Sequence, residues 1–283
     1  MKVLVAGGSG RIGTATVNDL VANGYSVVSV DRRRRPEPLP DGARFVELDL
    51  GDVGQVVGAM EGCEAVIHLG AIPSPYSVPD EVIFNNNVRN TFAVFQAARL
   101  LGIKRVAFAS SLSALGTAWA PEPFPPLYVP VDEDHPLLNH DCYGLSKEVD
   151  ERTAEMFHRL TGMQVAALRF CWVSHMHEAL EAVERIKEDP GHPQEWRVLW
   201  AYVDVRDAAA SCRRAIEADG FGFTAFNITA NDTLSDTPTE DLLRTHTPSV
   251  EIRTPIPGTA SAFSNQRAKD LLGWQPVHSW RTA

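Results

Sequence analysis

The stretch Lys2-Val3-Leu4-Val5-Ala6-Gly7-Gly8-Ser9-Gly10-Arg11-Ile12-Gly13 decides the fold. Val3 to Ala6 are apolar without alternation, the pattern of a strand in a parallel sheet covered on both faces. Gly7, Gly10 and Gly13, spaced by three, then form a turn that enters a helix, with Arg11 and Ile12 inside the turn. Residues lacking Cβ let backbone N–H groups approach a pyrophosphate, and the helix N-terminus adds positive potential. A structural turn also wants glycine, but the strand–turn–helix order is the setting a dinucleotide cradle requires.

Outward from this turn the chain alternates short β-branched runs with helical spacing. Strands are expected at Ser26–Asp31, Arg44–Glu47, Ala65–Leu69, Arg105–Ser110 and Gln164–Phe170, with helices at Ile12–Asn23, Val53–Met60, Asn85–Leu101 and Tyr143–Leu160. That order predicts an α/β fold, a Rossmann-type doubly wound parallel sheet with a small C-terminal substrate lobe. The core is expected to comprise 1–170 plus 201–229, and the lobe 171–200 plus 230–283, where periodicity weakens and Gly/Pro interruptions multiply. Thr117–Asp141, with six prolines, reads as a long loop beside the last core helix.

Composition narrows the class. A net charge of −10 argues against a nucleic-acid binder, since phosphate backbones are held by clustered Lys and Arg. No apolar run approaches the ~18–20 residues that span a bilayer, and Cys63, Cys142, Cys171 and Cys212 stand singly, as in a cytoplasmic protein with reduced thiols. His175, His177 and Glu178 lack a third-ligand spacing beyond themselves, so no metal is expected.

Asp31 closes the second strand, 18 residues beyond Gly13. A carboxylate there accepts from the adenosine ribose hydroxyls and favours NAD, whereas the run Arg32–Arg35 keeps NADP open as a 2′-phosphate clamp, Arg32 foremost. Tyr143 and Lys147, at i and i+4, share one helix face. An ammonium near a phenol favours the phenolate, so Tyr143 is expected to take a proton from a substrate hydroxyl while Lys147 also holds the nicotinamide ribose. Ser111, at the end of a predicted strand, is placed to bind the reacting oxygen; such serines also form turns.

Gly7–Gly13, Asp31, Asp49-Leu50, His68-Leu69-Gly70-Ala71, Asn87-Val88-Arg89-Asn90-Thr91, Ser110-Ser111, Tyr143…Lys147 and Ala268–Pro276 together resemble the extended short-chain dehydrogenase/reductase family, the NAD-dependent epimerase/dehydratase group. The resemblance covers residues 1–230 most clearly. It implies that Asp49 and Leu50 flank the adenine, that Leu69, Gly70 and Ala71 line the ribose and phosphates, that Asn87 supports the cofactor site, and that Ser111, Tyr143 and Lys147 are catalytic. It also implies a homodimer built from the helices Asn85–Leu101 and Tyr143–Leu160, whose apolar stripes include Phe92, Phe95, Met156 and Leu160.

Departures from the family pattern are informative. Leu112-Ser113 stands where dehydratases carry an Asp-Glu pair, so no acid is at hand to expel a hydroxyl. Trp172 replaces the asparagine typical of nucleotide-sugar members, and Val173-Ser174-His175 replaces their proline turn. The stretches Ala109-Ser110-Ser111 and Tyr143–Lys147 are most similar to uronate dehydrogenases. Three functions follow in order: an NAD(P)-dependent dehydrogenase of a small sugar or sugar acid, a nucleotide-sugar epimerase, and a non-catalytic dinucleotide sensor. Ser113 and Trp172 are expected at the substrate, with Arg169 or Arg267 receiving a carboxylate.

Overall fold

A computed structural model describes residues 1–283. In chain order it contains β1 (Lys2–Ala6), α1 (Arg11–Ala22), β2 (Ser26–Asp31), β3 (Ala43–Glu47), α2 (Val53–Met60), β4 (Ala65–His68), α3 (Asp80–Leu100) and β5 (Arg105–Ser111). Then follow β6 (Tyr128–Val129), α4 (Cys142–Thr161), β7 (Gln164–Phe170), β8 (Trp172–Ser174), α5 (Met176–Glu188), α6 (Pro193–Trp196) and β9 (Tyr202–Asp204). The chain closes through α7 (Val205–Glu217), β10 (Phe223–Ile228), α8 (Thr239–His246), β11 (Glu251–Ile252) and α9 (Gln266–Leu272). Seven parallel strands form the main sheet in the order β10-β7-β5-β4-β1-β2-β3.

Unalternating apolar strands bury both faces, as a parallel sheet requires. Leu4 and Ala6 of β1 pack with Val94 and Phe95 of α3 and Phe157 of α4. Val3 and Val5 point the other way, onto Val17 and Leu20 of α1 and Ile216 of α7. The sheet is therefore doubly wound, and its strands all end at one edge. Local signals set the helix that matters most: Asp141 caps α4 by accepting from Gly144 N at 2.8 Å, and Gly162 ends it in the left-handed region.

A third apolar cluster lies apart from the two that flank the sheet. Leu112, just after β5, and Val129 and Val131 from the proline-rich segment meet Ala182, Ile186, Trp200 and Phe263. Three expectations change here. Thr117–Asp141 is not all loop, because Tyr128–Val129 pairs with Glu251–Ile252. The weakly periodic region holds a 13-residue helix, α5, whose Ala179, Ala182, Val183 and Ile186 form a regular buried stripe. The closing segment, assigned to the lobe by sequence, instead seals the core: Ala268, Leu272 and Trp274 pack beneath the sheet, and Trp274 Nε1 donates to Asp207 O at 2.9 Å.

Trp274→Ala is expected to cost about 3–5 kcal/mol of stability, the range for deleting a large buried ring. A midpoint in urea denaturation within error of the parent would show that the closing segment does not seal the core.

Candidate active site

The site forms where the sheet's strand order reverses, between β1 and β4 at their carboxyl ends. Gly7 has φ +78°, and a Cβ there would lie 2.5 Å from Gly70 N; a Cβ on Gly13 would strike the Gly7 carbonyl oxygen. The turn is thus as tight as backbone allows, and it presents the N-terminus of α1 to the cleft. Asp31 holds its far side, with Oδ2 accepting from Ser9 N at 3.1 Å and Oδ1 from Arg32 N at 2.7 Å. An ionised carboxylate has about four lone-pair sites, so it retains capacity for ribose hydroxyls. Leu50 is buried beside Gly70, while Leu69, Ala71 and Ile12 line the cleft. These features fit a dinucleotide.

The arginine run divides. Arg35 is buried and bonded to Thr14 O, Asn18 Oδ1 and Pro38 O, so it is structural. Arg32 turns to Asn86 Oδ1 at 3.0 Å and Asp49 Oδ1 at 3.2 Å. Asp49 also accepts from Gly51 N at 3.0 Å, and that bond, with Arg32 and Arg89, holds its carboxyl below the usual range. Its side chain caps a turn and anchors two arginines. Asn87, fully buried inside α3, accepts from Ile72 N and donates to Ile72 O and Ser146 Oγ, stapling the loop after β4 to α4. Arg11 lies in the cradle but reaches across it, donating to Val173 O at 3.0 Å and to both Glu178 oxygens, Oε1 at 2.8 Å. Glu178 is thereby engaged, and it accepts from His175 N as well.

A cavity of about 600 Å³ runs from the glycine turn past Ser111, Ser113, Tyr143 and Lys147 to Trp119 and Trp172. Lys147 Nζ lies 5.8 Å from the Tyr143 ring centre and donates to Ala109 O, at the end of β5, at 2.9 Å. Ser111 Oγ accepts from Ser113 N at 3.1 Å and keeps its own proton to donate. Trp119 Nε1 donates to Ser113 Oγ at 3.1 Å, fixing an indole on the wall. Sequence alone passed Trp119 over; only its place in a proline-rich segment beside α4 hinted at it. Trp200 and Trp274, by contrast, are fully buried, which makes them packing residues. Burial pushes the Cys171 thiol, also on the wall, up to about 12, so it is no nucleophile.

Arg169 is not at the substrate. It is buried, with Nε and Nη2 each 2.8 Å from Glu151 and Nη1 donating to Glu133 O. Side chains alternate along β7, and its neighbours Leu168 and Phe170 face the α1/α7 layer, so Arg169 must face α4. Arg267 pairs with Asp134 at 2.8 Å and Glu133 at 3.4 Å, also away from the cavity. Around the whole cavity the charged side chains are Arg11 and Lys147 alone; no Asp, Glu or His reaches it.

Comparison with known proteins agrees with this geometry. The NAD dependent epimerase/dehydratase family matches residues 3–229. L-arabinose 1-dehydrogenase (NAD(P)(+)) of Haloferax volcanii is 29% identical over 222 residues, 77% of this chain and 83% of that protein. A UDP-glucose 4-epimerase of Corynebacterium glutamicum is 25% identical, with 99% of this chain and 92% of the epimerase aligned. A mutated uronate dehydrogenase superposes with a TM-score of 0.71 at 22% identity, covering 99% of this chain and 83% of its own, a likeness of fold. With most of its length matched, the chain belongs to the NAD-dependent epimerase/dehydratase family of enzymes, and its cofactor is NAD.

Proposed function

We propose that this enzyme oxidises the anomeric hydroxyl of a small neutral sugar. The observation that carries this reading is the wall around Tyr143: Ser111, Ser113, Trp119 and Trp172, with no unpaired cation. A uronate or a nucleotide diphosphate brings negative charge into the cleft, and an unpaired buried charge is costly. Lys147 is bonded to Ala109 O and faces Asp150, and Arg11 is engaged by Glu178. The sugar-acid half of the expectation therefore recedes. The indoles of Trp119 and Trp172 supply flat apolar surface for the C–H face of a sugar ring, and the serines supply hydroxyl partners. The similar L-arabinose 1-dehydrogenase acts, by its name, at such a carbon.

NAD, when bound, supplies the hydride acceptor. The chain's own residues handle position and proton. Ser111 Oγ donates to the substrate oxygen, and Tyr143 Oη takes the hydroxyl proton as the C–H bond at the same carbon breaks. Lys147 places positive charge beside the phenolate during that step. With no carboxylic acid on the wall, nothing else in the cavity serves as proton carrier. Gly7, Gly10 and Gly13 with the amides of Arg11 and Ile12 would hold the pyrophosphate, and Asp31 the adenosine ribose. A 2′-phosphate would meet that carboxylate, which supports NAD over NADP.

Apolar residues left uncovered on α3 and α4, Phe92 at 48%, Leu100 at 59% and Leu160 at 58% exposure, support a homodimer through these helices. Phe95 does not contribute: it is fully buried, 5.6 Å from Phe157 in a stack.

NADH formation should appear with neutral aldoses and NAD, weakly with NADP, and not with UDP- or dTDP-sugars. Turnover confined to nucleotide sugars would replace this reading with an epimerase, and turnover confined to uronates would restore the sugar acid. Tyr143→Phe is expected to lower kcat by at least ~100-fold with NAD binding near normal, since general acid–base groups contribute about 10²–10⁴. A fully active Tyr143→Phe protein would remove Tyr143 from the chemistry. Sedimentation at micromolar concentration should give twice the chain mass; a monomer would leave the α3/α4 surface unexplained.

A further inference from the structure

Asp150 lies three residues beyond Lys147 on α4, is fully buried and does not line the cavity. Its Oδ2 is 3.4 Å from Lys147 Nζ, and its Oδ1 has no hydrogen-bond partner. The Thr91 hydroxyl of α3 lies beside the carboxylate and 3.3 Å from His68 Nε2 of β4. As a packing element this is a poor choice. An incompletely satisfied buried ion pair is commonly matched or bettered in stability by apolar residues of similar volume. Stability therefore does not explain a carboxylate at this position.

Lys147 does. Its side chain is 4% exposed, and apart from Asp150 its one hydrogen-bond partner is the neutral Ala109 carbonyl. A buried ammonium without an anion tends to shed its proton. The surroundings offer no other counter-ion. Glu151, the next acid on α4, is taken by Arg169 through two bonds of 2.8 Å. His68 on β4 is neutral, because burial and Lys147 push its imidazolium down to about 3. Thr91 on α3 carries no charge. Burial raises Asp150 itself to about 6, against the pull of Lys147, so it is ionised at neutral and alkaline pH, where a phenolate is needed.

We propose that Asp150 is a positioning residue for the reaction: it is the buried counter-ion that keeps Lys147 protonated and directed at the Ala109 carbonyl, and it acts on Tyr143 only through Lys147. The inference rests on the Tyr143–Lys147 pair proposed above, but not on the identity of the sugar.

The test is an ultraviolet titration of tyrosinate in the purified chain, with the Tyr143→Phe protein subtracted to isolate one phenol. In Asp150→Asn, Lys147 loses its proton at lower pH and Tyr143 ionises without a neighbouring cation. The Tyr143 transition is expected to move up by roughly one pH unit or more, the scale of losing one close opposite charge. Asp150→Ala, which leaves room for water, should move it the same way and covers the case in which the amide variant does not fold. With any accepted sugar, the alkaline limb of kcat against pH should move to lower pH in both variants. A folded variant whose Tyr143 transition is unchanged or moves down overturns the inference, and so does a uniform loss of kcat with both limbs in place. If no sugar is oxidised, the substrate reading fails while the titration still decides the role of Asp150.

Discussion

The backbone of Gly7 passes so close to Gly70 that a Cβ on Gly7 would lie 2.5 Å from Gly70 N, and the rest of the site is arranged around that contact. It brings the ends of β1 and β4 together at the point where the sheet's order turns outward, with β2 and β3 on one side and β5, β7 and β10 on the other. Because the strands are parallel and covered on both faces, each return crosses over, through a helix everywhere except between β2 and β3, and every strand ends at the same edge. The cradle after β1, the carboxylate at the end of β2 and the serine at the end of β5 therefore share one crevice. Only α4 has to be brought to it from outside the sheet.

Buried charge brings α4 there. Ser110 Oγ donates to Glu151 at 2.6 Å, and Arg169 grips the same carboxylate in a two-pronged pair, so one acid on α4 is fastened to both β5 and β7. Breaking such a pair by removing one partner costs on the order of 3–5 kcal/mol, because the survivor remains buried and charged. The bond to Ser110 also fixes the backbone next to Ser111, so the fastening and the proposed oxyanion donor are adjacent residues. Lys147 Nζ adds a second tie, to Ala109 O. Three successive residues at the end of β5 thus each serve α4 or the substrate.

How much of this was legible in the sequence depended on distance along the chain. The glycine turn, the Tyr–Lys spacing, six of the seven sheet strands (all but β10) and the limits of α1, α2 and α4 rest on neighbours within a few residues, and they could be read. Residues 201–229 were assigned to the core, which is where β10 lies. Arg169 was misplaced although its own strand held the answer: Leu168 and Phe170 are buried in one layer, and a period of two sends Arg169 to the other. The α5 stripe was equally regular and was hidden by the glycines and prolines around it. Trp119 and Asp150 differ in kind. Only a proline-rich setting hints at Trp119 as a wall, and Asp150 looks like any polar residue on a helix until α3 and β4 close over it.

A chain of net charge −10 that binds an anionic cofactor has to supply positive potential locally. At ~8 Å screening length in physiological salt, the global charge matters little inside the cleft. The guanidinium of Arg11 is offset by Glu178, so the potential at the cradle comes chiefly from backbone N–H groups and the α1 N-terminus. No equivalent device faces the other end of the cavity. For the proposed neutral sugar, the serines and indoles there would discriminate by shape and hydroxyl pattern, a mode that rejects an absent hydroxyl strongly because its partner is left unsatisfied. Such a wall also disfavours an added carboxylate, which would give up water for no cation. Under the proposed function, one cleft would accept an anion at the cradle and a neutral molecule at Tyr143, because the backbone amides supply their positive potential at the cradle end.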